Sequence, residues 1–97
     1  MNDNIIVTIE RVEKYMSLTE EARKKATPIE LKPENLEKLS SMLRMCDDYF
    51  SDARYFMQKG DLVRAFGAIN YAHAWIDAAV KIGFMDGQGD DDLFTLP

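Results

Sequence analysis

Ninety-seven residues, 46% apolar and 30% charged, predict a single globular domain spanning 1–97. One cysteine excludes a disulfide framework or a four-cysteine zinc module, and one histidine excludes chemistry that needs two imidazoles. Seventeen acids against twelve bases, a net charge of −5, argue against nucleic acid as a partner, and the longest apolar runs, Ile5–Val7 among them, are far too short to cross a membrane.

The first segment places Ile5, Ile9, Val12 and Met16 at helical spacing, continued by Tyr15, Thr19, Ala22 and Ala26, which predicts a helix over about 4–26. The β-branched stretch Ile5–Ile9 would suit a strand, but a strand needs a neighbour and the sequence offers none. Ser17-Leu18-Thr19-Glu20 reads as a capping box, so a break near Ser17 is an open alternative. Arg23, Lys24 and Lys25 fall in the last turn, where cations suit the carbonyl end. Thr27–Lys32 is expected to link this helix to the next and to hold one helical turn of its own.

The second segment, about 33–59, is the clearest helix. Leu36, Leu39, Leu43, Cys46, Phe50, Ala53 and Met57 alternate steps of three and four, with Leu43 central, and charged residues such as Glu37, Arg44, Asp48 and Asp52 lie opposite. Pro33 suits a first turn, and Gly60 the left-handed residue after the last. Asp61 can then cap a third helix, about 61–83, whose seam is Leu62, Ala65, Ile69, Ala72, Ile76 and Ala79, with Gly83 as its stop. So short a connection forces these two helices into an antiparallel hairpin. The expected fold is all-α: an up-and-down three-helix bundle with a tail over 84–97.

The third helix is apolar nearly all round. Opposite its seam stand Val63, Gly67, Asn70, Tyr71, Ala74 and Ala78, and only Arg64, Asp77 and Lys81 carry charge between Leu62 and Ile82. Such a helix is expected to be covered on more than one side. Gly67 in mid-helix, costing roughly 1 kcal/mol against alanine, points to a close neighbour. The tail supplies one candidate cover, since Leu93-Phe94-Thr95-Leu96 follows the run Asp86–Asp92, which has no apolar side chain and reads as a flexible acidic linker. A second copy of the chain supplies the other.

Gly60-Asp61, Arg64-Ala65-Phe66-Gly67-Ala68-Ile69-Asn70-Tyr71-Ala72-His73-Ala74-Trp75-Ile76-Asp77-Ala78 and Gly83-Phe84 resemble the signature of a short archaeal family known as domain of unknown function 357. The resemblance covers most of the chain, the acidic run and Leu93-Phe94 included, and is most specific in the third helix. It implies a compact three-helix bundle of the albumin-binding-domain type, archaeal and cytoplasmic, and implies no activity.

His73 and Asp77, four apart on one helix face, are the one polar pair suggestive of a site. With Asn70 they could hold a small ligand or, with Cys46, part of a metal site, although zinc asks for three or four converging ligands. The structural reading is the stronger: His73 flanks the seam, Asp77 can orient its ring, and Cys46 stands where a small apolar residue belongs. Arg64 and His73 are too far apart for the Arg–His motif of helical RNases, and no basic stripe interleaved with aromatics favours RNA. No cofactor is called for. The expectation is a non-enzymatic interaction or assembly module, partnered by another protein or by itself, acting through Val63, Gly67, Asn70, Tyr71, Ala74 and Ala78 together with Leu93 and Phe94. A ligand- or metal-binding protein using His73, Asp77 and Asn70 is the alternative.

Overall fold

In a computed structural model that describes residues 6–97, three helices, α1 (Ile9–Lys25), α2 (Pro33–Gln58) and α3 (Leu62–Lys81), are accompanied by two-residue strands β1 (Thr27–Pro28) and β2 (Met85–Asp86). The all-α three-helix bundle is the fold. α2 and α3 share the most extensive interface, and α1 lies mainly against α3, touching α2 little.

The helix boundaries follow from identifiable caps. Thr8 is extended, and its hydroxyl accepts from the Arg11 N–H at 3.1 Å. α1 therefore begins at Ile9 rather than near residue 4, and the β-branched Ile6 and Val7 stay outside it. Ile5 lies outside the described residues. No break occurs at Ser17; the helix runs through the Ser17–Glu20 box, and Thr19 is buried instead of capping. Pro28 disfavours helical backbone at Thr27, and the chain goes extended at Ala26. The link is thus not a helical turn. Thr27 and Pro28 pair antiparallel with Asp86 and Met85, so the strand partner that the sequence did not reveal lies beyond the third helix.

α2 and α3 end alike. Gly60 (φ +76°) receives the chain after α2, with Gly60 N–H on the Met57 carbonyl at 3.1 Å and Asp61 N–H on Phe56 at 2.9 Å. Gly83 (φ +82°) repeats the pattern, its own N–H on Val80 and that of Phe84 on Ala79, both at 3.0 Å. Each is a Schellman stop, which glycine adopts without a Cβ clash. Asp61 then caps α3, accepting from the Arg64 N–H at 3.1 Å.

The core is small-residue rich: Ala22, Ala53, Ala65, Ala72 and Ala79 are buried beside Val12, Leu39, Cys46, Ile69, Ile76 and Val80. The α3 seam is buried as spaced, apart from half-buried Leu62 at its start. In α1 the order of strength reverses. Ile9 is exposed, whereas Thr19, Ala22 and Ala26, the less apolar continuation, are buried. Leu36 is exposed and Leu43 only half-buried, so the α2 seam packs through Leu39, Cys46 and Ala53.

The tail is part of this core. Leu93 and Phe94 are 5% and 4% exposed, and Met85 and Gly87 are buried. The acidic run is not a free linker. Asp86 accepts from the Gln88 N–H at 2.8 Å, and Asp90 accepts from the N–H groups of Asp92 and Leu93 at 3.0 Å each while pairing with Lys25 at 2.7 Å. Its carboxylates build the turns that return the tail to the bundle.

These burials rank the core. Ile76→Ala is expected to cost about 2–5 kcal/mol and Leu43→Ala distinctly less. Denaturant melts of the two variants beside the parent check the order; equal losses would mean that the α2 seam is misplaced.

Candidate functional site

α3 offers three sectors. Its seam meets α2, and the flank carrying Phe66 and His73 meets α1, where Tyr15 stands edge-on to Phe66 at 5.4 Å and Thr19 reaches His73. The third sector is the stripe opposite the seam. Val63, Gly67, Asn70, Tyr71 and Ala74 are exposed, Val63 at 72% and Tyr71 at 47%, and Ala78 is half-buried. A Cβ at Gly67 would meet nothing within 4 Å. The tail docks in cis on the neighbouring His73 flank and leaves this stripe uncovered. Leu93 and Phe94, being buried, do not belong to the exposed surface with which the sequence grouped them.

His73 and Asp77 grip the tail. The Leu93 carbonyl lies 2.9 Å from His73 Nε2 and can only accept, so Nε2 carries the proton. Nδ1 lies 3.0 Å from the Thr19 hydroxyl, which places His73 as a bridge between α1, α3 and the tail. Asp77 does not orient the imidazole. Its Oδ1 accepts from the Thr95 N–H and its Oδ2 from the Thr95 hydroxyl at 2.9 Å. One turn on, Lys81 donates to the Leu96 carbonyl at 2.9 Å. At the loop end, the hydrogen bond from Lys25 holds the Asp90 carboxyl below its ordinary range and the Lys25 ammonium above its own. Asn70 is exposed and lines, with Tyr15, Leu18, His73, Ala74, Asp92 and Leu93, a shallow cleft of about 330 Å³. Both ring nitrogens and both carboxylate oxygens of the polar pair are thus engaged within the chain. Cys46 is not among the groups that meet them, and among the described residues no three His, Cys, Asp or Glu side chains gather where a metal ion could be held.

Two features lay beyond the sequence. Because α1 leans on α3, it leaves an open cleft of about 300 Å³ against α2, lined by Thr19, Cys46 and Phe50 and edged by charge. Arg23 spans it with a fork of two hydrogen bonds to Asp47, 2.9 and 3.2 Å, and this pairing raises its guanidinium above its usual range. Arg54 lies over the Phe50 ring at 5.1 Å. Burial pushes the Cys46 thiol up to about 11, assisted by the neighbouring Asp47 charge, so it is not a nucleophile at neutral pH. The second feature is aromatic. Tyr71 stands edge-on to Tyr49 of α2 at 4.4 Å and to Trp75, one turn on, at 6.1 Å. The Trp75 indole N–H is buried and has no acceptor among the described residues.

Residues 14–85 match the family described as "Protein of unknown function (DUF357)", nearly three-quarters of the chain and all of α2 and α3. The chain belongs to this family. The DUF357 match ends at Met85, so it includes His73 and Asp77 but not the tail residues they hold. No curated protein and no solved structure matches the chain. Among the described residues no helix is long and apolar enough to cross a membrane.

His73→Ala is expected to cost about 1–3 kcal/mol, because the Leu93 carbonyl loses its donor and Thr19 its hydrogen-bond partner inside the domain. A thermal melt, with hydrogen exchange at the tail amides, measures this; unchanged exchange would show that the imidazole does not hold the tail. Cys46 gives a pH prediction. A thiol raised on folding stabilises the native state fully below the unfolded thiol's value, near 9, and that contribution is lost as pH climbs toward about 11, because the unfolded chain ionises first. Reaction with an aromatic disulfide reagent at pH 8 is therefore slow for the native chain and immediate in denaturant.

Proposed function

We propose that this DUF357 protein is a non-enzymatic interaction module that presents the outer stripe of α3 to another protein or to a second copy of itself. The observation that carries the reading is Gly67. It sits mid-helix at a cost of roughly 1 kcal/mol relative to alanine, with nothing of its own chain within 4 Å of the space a Cβ would fill. Its neighbours on the stripe, Val63, Asn70, Tyr71 and Ala74, are exposed and uncharged. A glycine that weakens its helix without serving the fold is explained by a backbone that must come close to something outside the chain. Small residues flanked by an aromatic also suit a compact interface, with Tyr71 as its anchor. On the same reading the module works in an archaeal cytoplasm and needs no cofactor or nucleic acid.

The two explanations of Gly67 differ in a measurable way. Gly67→Ala is expected to raise the melting stability of the isolated domain by about 1 kcal/mol, since helix propensity improves and no clash arises. If the stripe is an interface, Gly67→Glu also weakens association, read as a fall in mass by sedimentation or as loss of a site-specific photo-cross-link placed at Ala74. A chain that is monomeric at every concentration and forms no cross-link from Ala74 would retire the reading.

A further inference from the structure

The tail is held in the way a peptide ligand is held. His73, Asp77 and Lys81 stand in a row on α3 and take the Leu93 carbonyl, the Thr95 N–H and the Leu96 carbonyl. The row thus grips the tail backbone at three points between Leu93 and Leu96, and the burial of Leu93 and Phe94 adds side-chain selection. Charge adds a second element of fit: Lys25 at the entrance pairs with Asp90, the first of three acids that precede the apolar pair.

Closure within one chain depends on a sharp reversal. Gln88 adopts a left-handed φ of +59°, uncommon for a residue with a side chain, and Gly89 follows at +70°. The returning tail then presses on Gly87, where a Cβ would lie 2.9 Å from Phe94 Cδ2 and 3.0 Å from Val80 Cγ1. A docked segment joined to a paired strand through a short, strained loop is the arrangement from which exchange between copies arises. We infer that the groove formed by His73, Asp77 and Lys81 is a peptide-binding site whose second occupant is the same tail from another copy of this chain, so that two chains exchange residues 90–97 reciprocally. Cis closure prevails when the loop is intact, because the tether keeps the local concentration of tail high. Shortening the loop removes that advantage and leaves the groove and the tail unchanged. The groove borders the outer stripe at Asn70 and Ala74, but its test turns on the tail, His73 and Asp77 while that of the stripe turns on Gly67, so either reading can fail without the other.

The decisive variant is the full chain with Gln88 and Gly89 deleted. It is expected to sediment at twice the monomer mass with native helical signal, and Asp77→Ala added to it is expected to return the monomer. A deleted chain that stays folded and monomeric would overturn the exchange. Should the deletion prevent folding, a crossed pair of full-length chains decides: Phe94→Ser, with a defective tail, and His73→Ala with Asp77→Ala, with a defective groove. Mixed in equal amounts they are expected to form a one-to-one dimer that neither forms alone. A mixture whose mass and melting are those of its components overturns the inference.

Discussion

α3 is the axis of the molecule, and everything else is arranged by how its circumference is shared. A helix with three charges in twenty residues cannot sit at the rim of a bundle in the ordinary way. α2 takes the seam through Leu39, Cys46 and Ala53, and α1 takes the flank through Val12, Thr19 and Ala22. The tail takes the next sector toward the carboxyl end. What is left is the stripe from Val63 to Ala74. The core is rich in small side chains, six of them alanine, so its packing tolerates few enlargements.

The polar groups of α3 act as connectors within this arrangement. His73 joins three separate parts of the chain through two hydrogen bonds, and Asp77 and Lys81 continue the row along the tail. Each is placed where an apolar seam borders solvent, so a donor or acceptor can be satisfied without burying charge. A His–Asp pair at helical spacing resembles catalytic equipment in sequence, and here both side chains hold the backbone of the tail. The difference lies entirely in what occupies the space beside the pair.

Helix periods, glycine stops and the Asp61 cap were legible because each is written within a few consecutive residues. The seam of α3 was read correctly for that reason. Helical spacing at Ile5 and Ile9 places the start of α1 too early, since it masks the signal at Thr8, whose extended backbone makes it the cap. The β1–β2 pairing was invisible, since Thr27 and Asp86 are joined only by the fold, and a strand of two residues has no periodicity to detect. The acidic run misled in another way. Composition without apolar residues resembles a solvated spacer, yet Asp86 and Asp90 spend their carboxylates on turn N–H groups and on Lys25. His73 and Asp77 were singled out from the sequence, but their partners Thr19, Leu93 and Thr95 came from segments too distant to pair by inspection.

The uneven seating of α1 has a mechanical consequence. Held broadly by α3 and joined to α2 chiefly by the Arg23–Asp47 fork across an open cleft, it has one wide attachment and one narrow one. Thermal fluctuation thus loosens the bundle from its amino-terminal limb first, with the α2–α3 hairpin remaining as the last cooperative unit. Because Thr19 shares its hydrogen bond with His73, each such excursion also frees one nitrogen of the ring that secures the opposite end of the polypeptide. α1 and the tail, far apart along the sequence, are in this way linked through one imidazole.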